Sequence, residues 1–514
     1  MDTIKELLDI ADEKFGAQPA VQYINEEKTI TEHTFSQLKK KSCAVSNALF
    51  RLNKNGEHIA LVGNSGYLWL YTYLGIVNSG SVVVTIDVRL PHEEIADEIV
   101  RSDVSVIIYD PSMEPIADYV RQNCPDVDCF LVMSGNTKNG VINMQKLLTD
   151  DTDYNYHLDP YKCCTIMFTS GTSGKSKGVM LCQKGLVDNA MACAVRNGFN
   201  GSNTKILSIL PIFHIFCLSV DILWSLHNGV CICFNDNLAN MFDNLHQFKA
   251  NRIAMVPMMA EYILMQLKQM EKSCGDKKAA AEKLLGTDFL TLTVGGAYLK
   301  QEIRREIEQY GLEIKEQYGM TENSCNLCTE HGCISKPGYI GKILDTQEFR
   351  VVDGEIWVKG STVMLGYYKD QKSTDEVVLD GWLKTGDLGE IDSDGYLKLI
   401  GRKKLLINLS SGENVSSEQL EQQLLDHDFI KEVVVYQVGD KIAVQIYPSL
   451  NVKENYKPDD VNETAQKIVQ EVNAANPTYK HIHKVIVREK EFEKTASMKI
   501  KRESFLYHPV KTTD

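Results

Sequence analysis

Short apolar runs alternate with helical patterns along most of the chain before Val352, and this alternation limits the fold more than any other feature. Strand, helix and strand at this spacing predict α/β units with a largely parallel sheet. The clearest predicted strands are Ile59–Gly63, Ser81–Asp87 and Val104–Asp110, with Ile206–Leu210 and Arg252–Val256 continuing the pattern. The clearest predicted helices are Tyr67–Ser79 and His92–Ser102.

The pattern changes after Val352, where short strand-like segments alternate with Gly and Asp turns, as is typical of a small β-rich region. These segments are GEIWVKG, GYYKD, DGWLKTGDLGEID and DGYLKLIGR. Beyond Gly401–Lys404 the sequence predicts helices at Ser417–Leu425 and Val461–Asn473 and strands in KEVVVYQV, KIAVQIYP and KVIVRE. The predicted fold class is α/β: a large N-terminal domain with α/β sheets and the β-rich region (residues 1–401), and a small mobile α+β C-terminal domain (residues 402–514).

The chain has 514 residues and a formal net charge of −14, which argues against a general nucleic-acid binder because such proteins need a basic face. Its 14 cysteines are spread thinly, so we expect no disulfide scaffold and a reducing, cytoplasmic location. Pro211, His214 and Asp221 interrupt the most apolar stretch, Ser208–Leu226. That stretch therefore predicts a buried core segment and no transmembrane span.

The strongest chemical signal is Thr165–Leu181, TIMFTSGTSGKSKGVML, in which an apolar strand runs into a loop dense in Ser, Thr, Gly and Lys. Small residues let the backbone approach a phosphate chain, while hydroxyl and N–H groups donate hydrogen bonds to it. The candidate phosphate-binding residues are Thr169, Ser170, Gly171, Thr172, Ser173, Gly174 and Lys177. A Walker-type loop is excluded because Thr169 stands where its first glycine is required, and the residues after Gly178 predict a strand.

This loop and six later motifs, met in the same order, resemble the adenylate-forming enzymes, a family that includes acyl-CoA synthetases, firefly luciferase and peptide-synthetase adenylation domains. The later motifs are LPIFHIF (Leu210–Phe216), TVGGAYL (Thr293–Leu299), EQYGMTE (Glu316–Glu322), KTGD (Lys384–Asp387), GRKK (Gly401–Lys404) and KTASMKIKR (Lys494–Arg502). Two positions depart from the family pattern, since Ser176 replaces a usual proline and Met498 a usual glycine.

The resemblance implies a role for each matching residue, with ATP, Mg²⁺ and CoA as cofactors. Catalytic roles fall to Lys499, which bridges the carboxylate and the α-phosphate, to Thr321 at the α-phosphate, to Glu322 as the Mg²⁺ ligand and to His214 beside the carboxylate pocket. Nucleotide and thiol contacts fall to Gly296, Ala297, Glu316, Tyr318 (adenine), Asp387 and Arg402 (ribose) and Gly412 (thiol tunnel). Lys404 takes the family's hinge position.

The implied reaction activates a small-molecule carboxylic acid as an acyl-adenylate with release of pyrophosphate, and a thiol then displaces AMP. Peptide-synthetase domains usually place an Asp after the aromatic residue of the LPIFHIF region, whereas His214 follows Phe213 here, which argues against an α-amino acid. The surrounding residues predict an apolar pocket and therefore a fatty or aryl acid: Ile215, Phe216, Val256, Met258, Gly295, Gly319 and Met320.

The sequence leaves three functions to weigh, and a fourth shares the same adenylation motifs. The short stretch from Thr321 to Gly354 favours free CoA as acceptor, and the alternative is a stand-alone enzyme that loads a phosphopantetheine carrier protein. A non-enzymatic nucleotide sensor is disfavoured because Glu322, Asp387, Arg402 and Lys499 are all present. A luciferase-like oxygenase shares the adenylation motifs and is not excluded by them.

One cluster lies outside the family pattern, namely Cys325, Cys328, His331 and Cys333 in CNLCTEHGC. Such soft ligands could bind zinc. Their spacing differs from the common zinc-finger patterns, and they directly follow the predicted magnesium motif. We therefore predict free thiols packed near the acid pocket.

Overall fold

The computed structural model describes residues 1–153, 156–169, 175–195, 203–286, 291–330, 333, 335–410, 413–449, 458–494 and 500–502. The strands are, in chain order, β1 (Pro19–Ile24), β2 (Ile30–Thr34), β3 (His58–Val62), β4 (Val82–Thr85), β5 (Val106–Tyr109), β6 (Cys129–Val132), β7 (Ile142–Asn143), β8 (Cys163–Thr169), β9 (Lys177–Cys182), β10 (Lys205–Ser208), β11 (Cys231–Phe234), β12 (Arg252–Met255), β13 (Thr291–Val294), β14 (Glu313–Met320), β15 (Cys325–Thr329), β16 (Lys342–Ile343), β17 (Gln347–Val352), β18 (Glu355–Gly360), β19 (Gly366–Tyr367), β20 (Val378–Leu379), β21 (Trp382–Ile391), β22 (Leu397–Arg402), β23 (Leu406–Asn408), β24 (Asn414–Ser416), β25 (Ile430–Val438), β26 (Lys441–Pro448) and β27 (Ile482–Val487).

The helices cover the sheets and connect their parallel strands. They are, in chain order, α1 (Ile4–Phe15), α2 (Phe35–Arg51), α3 (Tyr67–Asn78), α4 (His92–Arg101), α5 (Glu114–Asn123), α6 (Gln183–Val195), α7 (Trp224–Asn228), α8 (Met241–Phe248), α9 (Pro257–Cys274), α10 (Lys277–Leu285), α11 (Gln301–Glu308), α12 (Gln371–Val377), α13 (Ser417–Leu425) and α14 (Pro458–Ala474). Several begin at polar caps that satisfy free backbone N–H groups. At α2, for example, Thr34 and Gln37 form a reciprocal capping box.

Two large sheets form the N-terminal part. One has eight strands in the order β19-β9-β8-β4-β3-β5-β6-β7, and the other has nine in the order β16-β15-β14-β13-β12-β10-β11-β1-β2. Their inner strands are parallel and only the ends are antiparallel, so the predicted α/β class is confirmed. One continuous apolar core includes Val21 of the second sheet and Ile59 of the first, so the two sheets share it.

The glycine-rich loop connects two antiparallel strands of the eight-stranded sheet. Thr169, the last residue of β8, pairs directly with Lys177, the first residue of β9. The predicted strand after Gly178 is therefore confirmed, and the helix that a Walker-type loop requires does not follow.

The small β-rich region forms a five-stranded sheet with β17, β18, β21 and β20 in order and β22 beside β21. The sequence analysis assigned GYYKD to this small β-rich region, and that prediction was wrong. Gly366–Tyr367 of this segment pairs with Val179 and Met180 in the eight-stranded sheet. The chain beyond Arg402 has its own three-stranded sheet, β25-β26-β27, and a separate apolar core that includes Val444 and Leu424.

The apolar stretch Ser208–Leu226 lies inside the protein, as predicted, and its centre is a π-helix at Cys217–Leu223. π-Helical turns are rare and are frequently found at functional sites. None of the described helices combines the length and apolar character that a membrane span requires.

A buried arginine connects α11 to β14 behind the predicted nucleotide site. The Arg304 guanidinium donates to Glu316 Oε1 at 2.9 Å and lies 2.9 Å from Glu330 Oε2. The exposed fractions of the Arg304 and Glu330 side chains are only 8% and 0%. Removing one member of such a network leaves buried charge without compensation.

We expect Arg304→Met to lower the free energy of unfolding by about 3–5 kcal/mol, because two carboxylates lose their shared cation. The matched control is Arg305→Met on the next position of the helix, where the side chain is 70% exposed and 3.8 Å from Glu302. That control should change stability by no more than about 0.5 kcal/mol. Urea denaturation of both variants measures the difference, and equal effects would contradict a structural role for the network.

Candidate active site

The centre of the site is a buried carboxylate at Asp387 that two other strands hold in place. Asp387 and Arg402 face each other across β21 and β22, and Arg402 Nε lies 3.1 Å from Asp387 Oδ1. Tyr318, at the far end of β14, donates its hydroxyl to Asp387 Oδ2 at 2.5 Å. Three residues from separate predicted motifs therefore meet at one point.

Asp387 raises the pKa of both of its partners. Burial and the negative charge of Asp387 raise the pKa of the Tyr318 phenol well above its usual range, so that it remains a donor. Asp387 likewise raises the pKa of Arg402. The arrangement holds the Asp387 carboxylate in a fixed orientation, which suits hydrogen bonds from the paired hydroxyls of a ribose.

A second group joins the predicted magnesium ligand to the predicted phosphate lysine. Tyr367 donates its hydroxyl to Glu322 Oε1 at 2.9 Å, and Lys177 Nζ lies 4.9 Å from the centre of the same ring. Burial and the Glu322 charge raise the pKa of Tyr367. The sequence did not indicate Tyr367 as a site residue. It lies in the GYYKD segment, which the sequence pattern assigned to the small β-rich region.

The described flanks of the phosphate loop are tied to α4. Ser176 donates to Glu98 Oε1 at 2.9 Å, while the Arg101 guanidinium donates to the Ser176 carbonyl at 2.7 Å and its hydroxyl at 2.8 Å. Burial raises the pKa of Glu98 to about 7. Ser176 replaces the proline that is usual in the family, and its hydroxyl forms hydrogen bonds to Glu98 and Arg101 that a proline could not form. Thr169 and Lys177 are placed by the hairpin, whereas Ser170, Gly171, Thr172, Ser173 and Gly174 lie outside the described residues.

His214 lies beside a cation that the sequence did not indicate. One Arg89 nitrogen is 3.2 Å from His214 Nε2, and the same guanidinium makes two bonds to the Asp87 carboxylate at 2.6 and 2.8 Å. It also lies 5.3 Å from the centre of the Phe213 ring. The Arg89–Asp87 ion pair thus lies beside the LPIFHIF segment and contacts both Phe213 and His214.

Glycines shape the backbone where the motifs turn. Gly319 has no room for a side chain, because a Cβ there would lie 1.8 Å from the Cys325 carbonyl oxygen. Gly296 has a φ of +82° in the exposed turn after β13, where Ala297 follows it. Thr321 begins a single turn of 3₁₀ helix, Thr321–Asn323, that carries Glu322 towards Tyr367.

The structure describes two of the remaining predicted site residues, Glu316 and Lys404, but not Gly412 and Lys499. Glu316 accepts from Gln301 at 3.1 Å and from Arg304, so the structure gives it a supporting role behind Tyr318. Lys404 lies in the exposed 3₁₀ turn Lys403–Leu405 directly after Arg402. Gly412 and Lys499 lie outside the described residues, and their roles stay predictions.

The predicted thiol cluster is split between two cores. Cys325 packs in the core shared by the large sheets, whereas Cys328 packs with Ile356 and Leu397 elsewhere. Side chains three residues apart on a strand point to opposite faces, so these two thiols cannot bind one ion together. Cys333 lies 3.4 Å from the Glu330 carbonyl, and His331 is outside the described residues. That the purified protein lacks zinc stays a prediction.

A narrow cavity lies next to the site, on the face of β14 opposite Tyr318. Its lining includes Gln317, Asn326, Arg252 and Trp224, together with smaller residues. The sequence predicted an apolar pocket from Phe216, Gly295 and their neighbours, none of which lines this cavity.

Comparisons with known proteins show which family this chain matches. The family model described as AMP-binding enzyme matches residues 8–368, and the model described as AMP-binding enzyme C-terminal domain matches residues 405–508. A 2-succinylbenzoate–CoA ligase of Listeria monocytogenes serovar 1/2a is 26% identical over 482 residues, with 92% of this chain and 93% of the relative covered. A long-chain-fatty-acid–CoA ligase, FadD15 of Mycobacterium bovis, is 26% identical over 430 residues, with coverages of 75% and 71%.

Solved structures show the same fold at lower identity. The anthranilate CoA ligase AuaEII in complex with anthranoyl-AMP has a TM-score of 0.83 at 20% identity, with 97% of this chain and 96% of that chain covered. The O-succinylbenzoate coenzyme A synthetase MenE of Bacillus subtilis, in complex with ATP and magnesium ion, has a TM-score of 0.78 at 22% identity, with coverages of 97% and 98%.

The raised pKa of Glu98 predicts a pH-dependent stability. Burial raises the pKa of Glu98 from its ordinary value of 4.5 to about 7. The stability that the protonated Glu98 contributes to the folded state is therefore complete below pH 4.5 and is lost as the pH rises through 7. Glu98→Gln keeps the acceptor for Ser176 but cannot ionise. Relative to wild type, the variant should gain about 2–3 kcal/mol of stability between pH 5 and pH 8. Urea denaturation at both pH values tests this, with the exposed Glu93→Gln on the same helix as control; a gain that does not change with pH would contradict it.

Proposed function

Because this chain belongs to the AMP-binding enzyme family, we propose that it is an acid–CoA ligase that makes an acyl-adenylate and then a CoA thioester. The observation that carries the proposal is the meeting of Tyr318, Asp387 and Arg402, from three motifs, around one oriented carboxylate. The names of the relatives support CoA as the acceptor.

In the first half-reaction a carboxylate oxygen of the acid attacks the α-phosphorus of ATP. The new bond joins that oxygen to phosphorus, the bond from the α-phosphorus to the bridging oxygen breaks, and pyrophosphate leaves with both electrons. Two anions must approach each other, so the site needs cations. Lys177 near the β- and γ-phosphates and Lys499 between carboxylate and α-phosphate are proposed for this task, while Asp387 holds the ribose.

Glu322 is the residue proposed to hold magnesium. A single protein carboxylate together with phosphate oxygens is a usual way of binding this hard cation. Within the described ranges no group of three or more His, Cys, Asp and Glu side chains could hold a metal alone, which fits a site that substrate phosphates complete. Magnesium, when bound, neutralises charge on the triphosphate. Tyr367 orients Glu322 by donating to one of its oxygens.

In the second half-reaction the thiol sulfur of CoA attacks the acyl carbon, the bond from that carbon to the phosphate oxygen breaks, AMP leaves with both electrons, and the thiol proton passes to water. We place the domain division at residues 401–402 and propose that the C-terminal domain turns about Lys404 between the two steps. This movement would withdraw Lys499 and bring the segment around Gly412 to the thiol.

The acid is proposed to be fatty or aryl. His214 follows Phe213 at the position where peptide-synthetase adenylation domains usually carry an Asp, which argues against an α-amino acid. A phosphopantetheine carrier protein in place of CoA is the competing acceptor, and direct assay separates the two.

The test is a panel of fatty and aryl acids with ATP and Mg²⁺, assayed for pyrophosphate and for the nucleotide product, with and without CoA. We expect pyrophosphate and AMP from at least one acid and a thioester when CoA is added. ADP as the product would contradict adenylation. Thioester formation only with an added carrier protein would support the competing acceptor.

We further expect Lys499 and Lys404 to act in different half-reactions. Lys499→Ala should slow pyrophosphate exchange by about 10²–10³-fold or more, because it removes a contact made mainly in the transition state. It should still convert synthetic acyl-adenylate and CoA to thioester. Lys404→Pro should keep pyrophosphate exchange and lose thioester formation, because proline fixes φ and so stiffens the junction between the domains.

The control for the junction is Lys404→Ala, which removes the same side chain without fixing the backbone and should keep both activities. If Lys499→Ala and Lys404→Pro lose both activities equally, the two-conformation mechanism is wrong for this protein.

A further inference from the structure

The last turn of α4 holds the residue that precedes Lys177. Ser176 donates its hydroxyl to Glu98 Oε1 at 2.9 Å. The Arg101 guanidinium donates to the Ser176 carbonyl oxygen at 2.7 Å and to the Ser176 hydroxyl oxygen at 2.8 Å. Glu98 is only 4% exposed and the Arg101 side chain 28% exposed, so solvent competes little for these bonds. Ser176 is therefore fixed at both its backbone and its side chain.

The bond to the Ser176 carbonyl bears directly on Lys177. A peptide group is planar, so this carbonyl oxygen lies in one plane with the nitrogen and the Cα of Lys177. Arg101 holds the oxygen and thereby fixes the tilt of the peptide from which the lysine side chain starts. Lys177 pairs with Thr169 at the start of β9, and its Nζ lies 4.9 Å from the centre of the Tyr367 ring. A fixed backbone beside a long side chain lowers the ordering cost that ligand binding must meet.

Arg101 is itself restrained on its other sides. Its Nε donates to Asp97 Oδ2, one turn earlier on α4, at 2.7 Å. Its guanidinium carbon lies 4.9 Å from the centre of the Phe168 ring, on the strand that leads into the phosphate loop. The guanidinium thus connects α4 to β8 and to the residue before β9. Arginine suits this task because its planar fork offers five donors in fixed directions.

Two ion pairs near these contacts restrain the loop less. Lys175 Nζ lies 3.2 Å from Asp97 Oδ1, but the lysine side chain is 69% exposed. Asp103, which follows α4, accepts from the Tyr368 hydroxyl at 2.7 Å and from Lys369 Nζ at 2.6 Å. The side chains of Asp103 and Lys369 are 47% and 60% exposed. Exposed ion pairs add little because water and salt screen them, so the bonds to Ser176 dominate.

The serine explains why this chain needs such contacts. Enzymes with the resembling loop usually carry proline at this position, and a proline ring restricts φ without any partner. Serine leaves φ free, so other groups must restrain residue 176. Glu98 and Arg101, 78 and 75 positions earlier in the chain, supply that restraint through hydrogen bonds.

We propose that Arg101, together with Glu98, is a positioning residue that acts through Ser176 to hold Lys177 for the triphosphate of ATP. The inference rests on the proposed function, in which Lys177 lies near the β- and γ-phosphates. Because the effect passes through the phosphate loop, the affinity for ATP depends on these α4 residues, whereas the affinity for the acid does not.

The first measurement is the dissociation constant of ATP with Mg²⁺, obtained by calorimetric titration of the full chain without acid or CoA. We expect Arg101→Met to weaken ATP binding by about 10-fold, the lower end of what losing a supporting residue costs at metal sites. Ser176→Ala keeps the carbonyl contact and should weaken binding by about 3-fold, as expected for lost hydroxyl bonds. Ser176→Thr keeps the hydroxyl and should match wild type.

The matched control is Arg121→Met on α5. Arg121 makes the same two kinds of contact, 2.6 Å from Asp118 Oδ1 and 4.5 Å from the centre of the Phe130 ring on β6. The Arg101 and Arg121 side chains are also similarly exposed, at 28% and 33%. Arg121→Met should leave ATP binding unchanged, because it contacts neither flank of the phosphate loop.

The second measurement separates positioning from a loss of stability. With an accepted acid, Arg101→Met should raise the KM for ATP and leave the KM for the acid unchanged, and urea denaturation gives the stability of each variant. Lower stability of Arg101→Met with an unchanged dissociation constant for ATP would overturn the inference and leave the proposed function intact. Equal weakening of ATP binding by Arg121→Met would also overturn it.

A wild-type chain that does not bind ATP would overturn the proposed function, and the inference with it. If Arg101→Met does not fold, the pair Ser176→Ala and Ser176→Thr decides. Weaker ATP binding by the alanine variant alone supports the inference, and equal binding by both overturns it.

Discussion

The Asp387 carboxylate connects the parts of this protein on which its chemistry depends. It accepts a hydrogen bond from Tyr318, at the end of the nine-stranded sheet, and pairs with Arg402 across two strands of the small sheet. Arg402 is the last residue of β22, and the turn that carries Lys404 follows at once. A nearly buried carboxylate is stable only when such partners surround it. The orientation of the proposed ribose ligand and the start of the C-terminal part are therefore fixed by the same interaction.

Buried charge recurs at each part of the site. Arg304 supports the strand that carries Tyr318, Glu98 holds the flank of the phosphate loop, and Arg252 lines the cavity behind β14. Each costs free energy of folding that an apolar residue would not cost. In return, Arg304 and Glu98 fix the position of segments beside the predicted nucleotide site. The protein thus places its costly polar interactions where binding demands defined geometry.

The positions of most strands and helices were predictable from the sequence. Buried residues recur at the spacing of the helix or strand that carries them, and this spacing is visible within a short stretch of sequence. The helix Ser417–Leu425 was predicted with its observed bounds, and the strands after the phosphate loop and at Arg252 were also found. The partner of a strand was harder to predict. Gly366–Tyr367 pairs with β9, far back in the chain, because hydrogen bonds between strands carry no local sequence signal.

The sequence by itself determined the order of the motifs, the composition of the predicted phosphate loop and the choice of Tyr318, Glu322, Asp387 and Arg402 as candidate site residues. Those features are local, since each depends on residue types at fixed short spacings. Only the tertiary structure decided that Tyr367 joins Glu322 to Lys177, that Glu98 and Arg101 hold Ser176, and that Arg252 lies in a cavity beside Gln317. These contacts join residues far apart in the chain, and the energy of a charge or a polar group depends on what surrounds it after folding.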